Sequence, residues 1–208
     1  MSLFRHAQFE ISVANTWDLP PSSAPEIAFA GRSNAGKSSA INTLAAHTRL
    51  AYVSKTPGRT QLINLFRLRG GACLVDLPGY GYAAVPEKVR KQWRSLLEHY
   101  LTQRTNLVGL VLIMDARHPL TELDAQMINW FVATSKPIHI LLTKSDKLTR
   151  QEARQTLLQV GEAVAVYGGQ ITVQLFSSLK KTGIDEAEKQ IATWLELGGG
   201  GAEDSEAT

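Results

Sequence analysis

Short apolar runs alternate along the chain with stretches in which apolar residues recur every three or four positions. The runs Glu26–Ala30, Ile63–Leu68, Ala72–Asp76, Val108–Met114, Ile138–Thr143 and Ile171–Phe176 predict strands. Between them, 86–104 carries Val89, Trp93, Leu96, Leu97, Tyr100 and Leu101 on one helical face, and 121–135 carries Leu123, Met127, Trp130 and Phe131. A third helix starts at Thr149, with Glu152 three residues on completing a capping box, and a last one near Thr182 turns Ile184, Ala187, Ile191 and Leu195 inward. Strands alternating with helices predict an α/β fold with helices on both faces of the sheet. Residues 45–61 hold no strong period and are expected to form a mobile loop.

Chemistry enters at the end of the first of these strands. Gly31-Arg32-Ser33-Asn34-Ala35-Gly36-Lys37-Ser38 is a complete G-x-x-x-x-G-K-S loop, entered from Pro25–Ala30 and followed by the opening turns of a helix at Ser39–Leu44. Gly31 and Gly36 are expected to free the backbone to curl, so that successive amides face one concavity suited to α- and β-phosphates at the positive end of a helix. Lys37 then reaches the β- and γ-phosphates, and the Ser38 hydroxyl is a Mg²⁺ ligand. Arg32, Ser33, Asn34, Ala35 and Ser39 complete the candidate phosphate contacts.

Three further strand ends and one loop carry polar groups in order. Asp76-Leu77-Pro78-Gly79 lies 39 residues after Lys37; an acid there holds Mg²⁺ through water, and the Gly79 amide approaches a γ-phosphate. Thr143-Lys144-Ser145-Asp146 ends the strand 138–142. A fixed carboxylate accepts from both the ring N–H and the exocyclic amine of guanine, which adenine does not offer, and the Lys144 stem covers the base. At Phe176-Ser177-Ser178 a backbone amide near Ser178 is placed for the guanine carbonyl. The loop Thr56-Pro57-Gly58-Arg59-Thr60-Gln61-Leu62 offers a threonine to complete the Mg²⁺ shell when the γ-phosphate is present, Thr60 being favoured over Thr56. Gly58, Arg59, Gln61 and Leu62 are its neighbouring nucleotide contacts. Lys37, Thr60 and Gly79 are the groups expected at the reacting phosphoryl.

Composition narrows the setting. The single cysteine, Cys73, sits in an apolar run and reads as a small buried hydrophobe; no disulfide framework exists within the chain, as suits a reducing cytosol. The five histidines have no zinc-like spacing. No signal peptide or membrane-length apolar stretch is evident, so a cytoplasmic location is expected. Net charge is +3, but the Gly-rich tail 198–208 holds three acids and no base, leaving 22 basic against 16 acidic side chains elsewhere. A modestly basic body is compatible with a polyanionic partner such as RNA. The expected organisation is an N-terminal extension over 1–24 packed on a domain at 25–197, then a disordered tail.

All five guanine-nucleotide motifs stand in the order of a translation-factor-related GTPase. Gly-Arg-Ser-Asn-Ala-Gly-Lys-Ser-Ser, Thr-Pro-Gly-Arg-Thr-Gln, Asp-Leu-Pro-Gly-Tyr-Gly-Tyr-Ala and Thr-Lys-Ser-Asp-Lys together resemble the EngB (YihA/YsxC) family of bacterial GTPases, over about residues 8–197. The resemblance implies a Ras-like P-loop GTPase fold with a mostly parallel central sheet, GTP and GDP as ligands with Mg²⁺ held by Ser38, Thr60 and Asp76, and GTP hydrolysis. It further implies assembly of the large ribosomal subunit as the setting, the subunit precursor as partner, and a link to normal division and septation. The protein is expected to be a monomer off the ribosome.

Two local features shape the expected mechanism. Tyr80 occupies the position where many GTPases carry a water-orienting glutamine, which predicts slow intrinsic hydrolysis. Asn34 stands where related GTPases bind K⁺ beside the phosphates. The helix after Tyr80 carries Lys88, Arg90, Lys91 and Arg94, a candidate rRNA contact. A nucleotide-gated binding module for a division protein, with little hydrolysis, is the alternative. A P-loop ATPase or small-molecule kinase is a third reading, which Thr143–Asp146 argues against.

Overall fold

The computed structural model describes residues 3–21, 23–51, 62–81 and 87–199; within 87–199 the side chains of residues 88–90, 93 and 197–199 are not described. Thr56, Gly58, Arg59, Thr60, Gln61 and the tail 200–208 therefore lie outside the described residues.

Seven strands form one sheet in the order β1-β3-β4-β2-β5-β6-β7. They are β1 (Gln8–Val13), β2 (Glu26–Gly31), β3 (Ile63–Arg67), β4 (Cys73–Asp76), β5 (Leu107–Asp115), β6 (Ile138–Thr143) and β7 (Ile171–Leu175). The helices are α1 (Lys37–Leu44), α2 (Glu87–Gln103), α3 (Glu122–Val132), α4 (Arg150–Val164) and α5 (Ile184–Gly199). Strands β4, β2, β5, β6 and β7 pair in parallel, whereas β1 and β3 run antiparallel to their neighbours.

Alternate strand residues feed two cores. Ala28, Ala30, Leu110, Leu112, Ile138 and Ile140 face α2, α3 and α4 with Tyr100, Phe131 and Val160. Ile27, Phe29, Val111, Ile113 and Leu141 face α1 and α5 with Ile41, Leu44, Ile191 and Trp194. Burial of both faces explains why the central strands read as continuous apolar runs. The capping box expected at Thr149 is present: the Thr149 amide donates to Glu152 Oε2 at 2.7 Å, and the Glu152 amide donates back to the Thr149 hydroxyl at 3.3 Å.

Four features differ from the sequence reading. The N-terminal segment supplies an edge strand, β1, with Phe9 edge-on to Phe66 at 5.9 Å and Arg67 paired to Glu10 at 2.5 Å. Leu123, expected inward, is exposed and lies toward the Gly81 turn. Trp194, absent from the expected inward face of α5, is buried over Gly109. Residues 45–51 pack down: Ala45 and Ala51 are buried, and the Asn42 amide both donates to the Ala51 carbonyl at 3.1 Å and accepts from its amide at 2.8 Å. The rest of the loop reading falls outside the described residues.

Gly109 lets β5 pass beneath α5, since a Cβ there would stand 2.3 Å from Trp194 Cε3. Gly109→Ala is expected to destabilise the fold by about 1–3 kcal/mol through overpacking. Urea unfolding should show this as a lower midpoint at unchanged slope, and Trp194→Leu should relieve it.

Candidate functional site

The loop Gly31–Ser38 emerges from β2 and turns into α1. Gly36 holds φ 103° and Asn34 φ 64°, both left-handed, so the backbone curls at these two points. Gly31 serves differently from the expectation. It ends β2, where a Cβ would stand 2.8 Å from the Ile113 carbonyl, so its missing side chain permits close approach of β2 to β5.

The other motifs converge on this loop because β2, β4, β5 and β6 are parallel and end on the same side of the sheet. Asp76, buried at the end of β4, accepts from Lys37 Nζ. Asp76 and Ser38 present oxygen donors beside the phosphate loop, a donor type that suits Mg²⁺. Among the described residues no cluster of three His, Cys, Asp or Glu could hold a metal, so an ion here depends on hydroxyl, water and phosphate oxygens as well. Leu62, the one candidate of its loop that is described, is half-buried just before β3.

Leu77 donates its amide to the Phe29 carbonyl at 3.0 Å, and Tyr80 donates to the Gly31 carbonyl at 3.2 Å. In return, Ser33 donates to the Tyr80 carbonyl at 2.6 Å. Gly79 is thereby held against the phosphate loop, a Cβ on it reaching 3.5 Å from the Gly31 carbonyl oxygen and 3.6 Å from Ser33 N. The Tyr80 ring turns away into the core, 4% exposed, and its hydroxyl donates to Asp124 Oδ1 at 2.6 Å. Burial, then the Asp124 charge, pushes this phenol well above its usual range, so it stays a donor.

The base-side motifs are tied to the same loop. The buried Thr143 hydroxyl lies against the carbonyls of Ala35 and Met114. Lys144, itself left-handed at φ 57°, reaches the Asn34 carbonyl at 2.5 Å and Asp115 Oδ2 at 2.9 Å. Arg117 clamps the same carboxylate through Nε at 2.9 Å and Nη2 at 2.6 Å. Burial pushes Asp115 upward, but the hydrogen bonds from Arg117 and Lys144 outweigh it and hold the carboxyl well below the usual range. Asp146 accepts from the Ser177 hydroxyl at 2.5 Å, and Ser145 donates its hydroxyl to the Phe176 carbonyl at 3.0 Å. Ser177 and Thr182 exchange backbone bonds of 3.1 Å, closing the turn that carries the half-buried Ser178.

Hollows open near the motifs among the described residues. One of about 1280 Å³ opens between α1 and the 178–188 segment, meeting the motifs at Ser39 and Ser178. One of about 200 Å³ opens toward α3, bounded by Arg32, Asn34, Asp115, Arg117, Asp124 and Lys144.

Residue type alone does not mark Asp115 as the partner of Lys144, nor Asp124 as that of Tyr80. The signal for Asp124 was local, an acid three residues after Thr121, but its second role needs the tertiary fold. Burial pushes the Cys73 thiol up to about 11, as a small buried hydrophobe should be, not a nucleophile. On α2, Lys91 and Arg94 are exposed; Lys91 pairs with Glu87 at 3.4 Å and Arg94 lies 5.6 Å over the Trp130 ring. The side chains of Lys88 and Arg90 lie outside the described residues.

A phosphate loop at the head of β2, an acid at the end of β4 and a Thr-Lys-Ser-Asp turn at the end of β6 define a P-loop GTPase. The sequence profile described as 50S ribosome-binding GTPase matches residues 26–144, more than half of the chain. The "probable GTP-binding protein EngB" of Azoarcus sp. (strain BH72) is 70% identical over 196 residues, covering 94% of each chain. That of Neisseria meningitidis serogroup B (strain ATCC BAA-335 / MC58) is 59% identical over 198 residues, again covering 94% of each. The chain belongs to the EngB family of GTP-binding proteins, and so binds guanine nucleotide and hydrolyses GTP. A crystal structure of a probable EngB shares the fold at a TM-score of 0.66 and 19% identity, covering 83% of this chain and 99% of that one. A bacterial selenocysteine-specific elongation factor shares it at 0.61 and 16%, over 84% of this chain and 29% of its own. Among the described residues no helix is long and apolar enough to cross a membrane.

Proposed function

We propose that this GTPase is a nucleotide-controlled switch in assembly of the large ribosomal subunit, with the subunit precursor as its partner and a consequent requirement in division and septation. The observation that carries the nucleotide half is the direct tie of the base-side turn to the phosphate loop through Thr143 and Lys144. One rigid unit can then read base and phosphates together. Support for the ribosomal half comes from the family description and from the exposed Lys91 and Arg94 on α2.

Within this reading, Asp146 pairs with the guanine edge, the amide near Ser178 meets its carbonyl, and Lys37 neutralises the β- and γ-phosphates. Ser38, Asp76 and Thr60 would hold Mg²⁺, which would supply charge neutralisation at the phosphates. The Gly79 amide meets the γ-phosphate. The Tyr80 hydroxyl is committed to Asp124, so no side chain at that position orients water, and intrinsic hydrolysis is slow. Asn34 is exposed at the rim of the loop, where a K⁺ ion would add positive charge. Single-turnover hydrolysis is therefore expected to run faster in K⁺ than in Na⁺ buffer; equal rates would remove the cation. Off the ribosome the protein acts as a monomer in the cytoplasm.

Co-sedimentation with large-subunit particles tests the whole. The GTP-analogue form should bind more tightly than the GDP form, and Lys91→Glu with Arg94→Glu should weaken binding and flatten its salt dependence. Equal binding by both nucleotide forms, or none, would overturn the assembly role.

A further inference from the structure

We propose that Tyr80 is a positioning residue, whose hydroxyl bond to Asp124 fixes the Gly79 amide at the γ-phosphate edge and carries nucleotide state into α3. The proposal rests on the reading that Gly79 meets the γ-phosphate.

Two sets of contacts meet at this tyrosine. On one side its backbone is stitched to the phosphate loop by the bonds to Gly31 and from Ser33, at 3.2 and 2.6 Å. On the other its ring runs through the core to α3. There Asp124 divides its carboxylate between two tasks: Oδ1 accepts from Tyr80, while Oδ2 accepts from the Thr121 amide at 2.9 Å and the Thr121 hydroxyl at 2.8 Å. The residue that closes the capping box of α3 with Thr121 is thus the residue that anchors the Asp-x-x-Gly segment. Asp124 is 2% exposed, so losing either partner leaves a largely buried polar group with an unmet hydrogen bond.

The segment also packs closely just after this anchor. Gly81 follows at φ 78°, and a Cβ there would crowd Arg32 Cγ at 3.0 Å and Leu123 Cδ1 at 3.1 Å. A shift of Gly79 toward or away from a phosphate therefore moves the Tyr80 backbone, and a rigid ring transmits that displacement to Asp124 and the first turn of α3. From α3 the path continues to α2 through Trp130 beneath Arg94. Coupling of the two sites requires that this contact differ between the two nucleotide states. The contact also gives a physical reason for a buried phenol at this position: a glutamine there would be free to face the phosphate but would not span to Asp124.

The experiment measures affinities of GDP and of a non-hydrolysable GTP analogue, with hydrogen exchange over 77–81 and 121–125. Tyr80→Phe keeps the ring and removes the bond. It is expected to weaken the analogue about tenfold relative to GDP. It is also expected to abolish the analogue's effect on exchange at 121–125. Asp124→Leu, which offers the Tyr80 hydroxyl neither acceptor nor donor, should show the same selective loss and carries the test if Tyr80→Phe does not fold. Thr121→Ala removes the α3 cap alone and should lower the melting temperature without changing the nucleotide ratio. Equal weakening of both nucleotides in Tyr80→Phe, or no change in either, would overturn the proposal. Gly79→Ala separates the two readings, because a Cβ there meets only ordinary van der Waals contacts in the protein. If Gly79→Ala discriminates against the analogue while Tyr80→Phe does not, only the role of Tyr80 falls. If Gly79→Ala does not discriminate, the contact between Gly79 and the γ-phosphate falls with it.

Discussion

An Asp146→Asn variant is expected to lose GTP affinity by a factor of about 100 to 1000 and to gain affinity for xanthosine triphosphate. The carboxylate accepts two hydrogen bonds from guanine, and asparagine turns one of those acceptors into a donor. Against the exocyclic amine of guanine, donor then meets donor. Xanthine carries a carbonyl at that position, so the same asparagine finds a partner. The geometry favours a clean result, because Ser177 and the closed 177–182 turn orient the side chain whichever group it bears. Competition calorimetry with guanosine, adenosine and xanthosine triphosphates checks it. A variant that binds the guanine and xanthine nucleotides as the parent does would remove Asp146 from the base site.

Glu26→Ala should produce the largest loss of stability, by about 3–5 kcal/mol. Glu26 is fully buried at the start of β2, far along the strand from the phosphate loop. Its carboxylate accepts from Arg104 Nη2 at 2.7 Å, from the Tyr100 hydroxyl at 2.8 Å and from Asn106 Nδ2 at 2.9 Å. Removing it strands a guanidinium, a phenol and an amide in a closed corner between α2 and β5. For a chain of this size the melting temperature should fall by about 10 °C. Nucleotide affinity at low temperature should hardly change, since the site lies at the other end of the strand. Differential scanning calorimetry makes the measurement, and a fall below about 2 °C would mean that water replaces the carboxylate.

The sequence is most legible where chemistry and periodicity agree. The central strands and the four later helices were legible because a run buried on both faces, or a helix with one apolar stripe, leaves its mark in local order. The β1 strand was harder to see. Phe9, Ile11 and Val13 alternate with polar residues, but six residues at an edge are a weak signal, and pairing with Ile63–Arg67 arises from contacts fifty or more residues apart. Leu123 and Trp194 went wrong for the same reason: a helical stripe shows which residues are apolar, not which of them the neighbouring elements cover.

By itself the sequence determined the motif set of the site and the nucleotide class, because each phosphate- and base-binding motif is a contiguous stretch whose chemistry depends on residue type at fixed spacing. Only the tertiary structure decided how those stretches are joined: Lys144 to Asn34 and Asp115, Ser177 to Asp146, and Tyr80 to Asp124. These contacts link residues from 29 to 110 positions apart. Hydrogen bonds are short-ranged and directional, so such partners are selected by the pairing of parallel strands and the packing of helices on them, which no local pattern records.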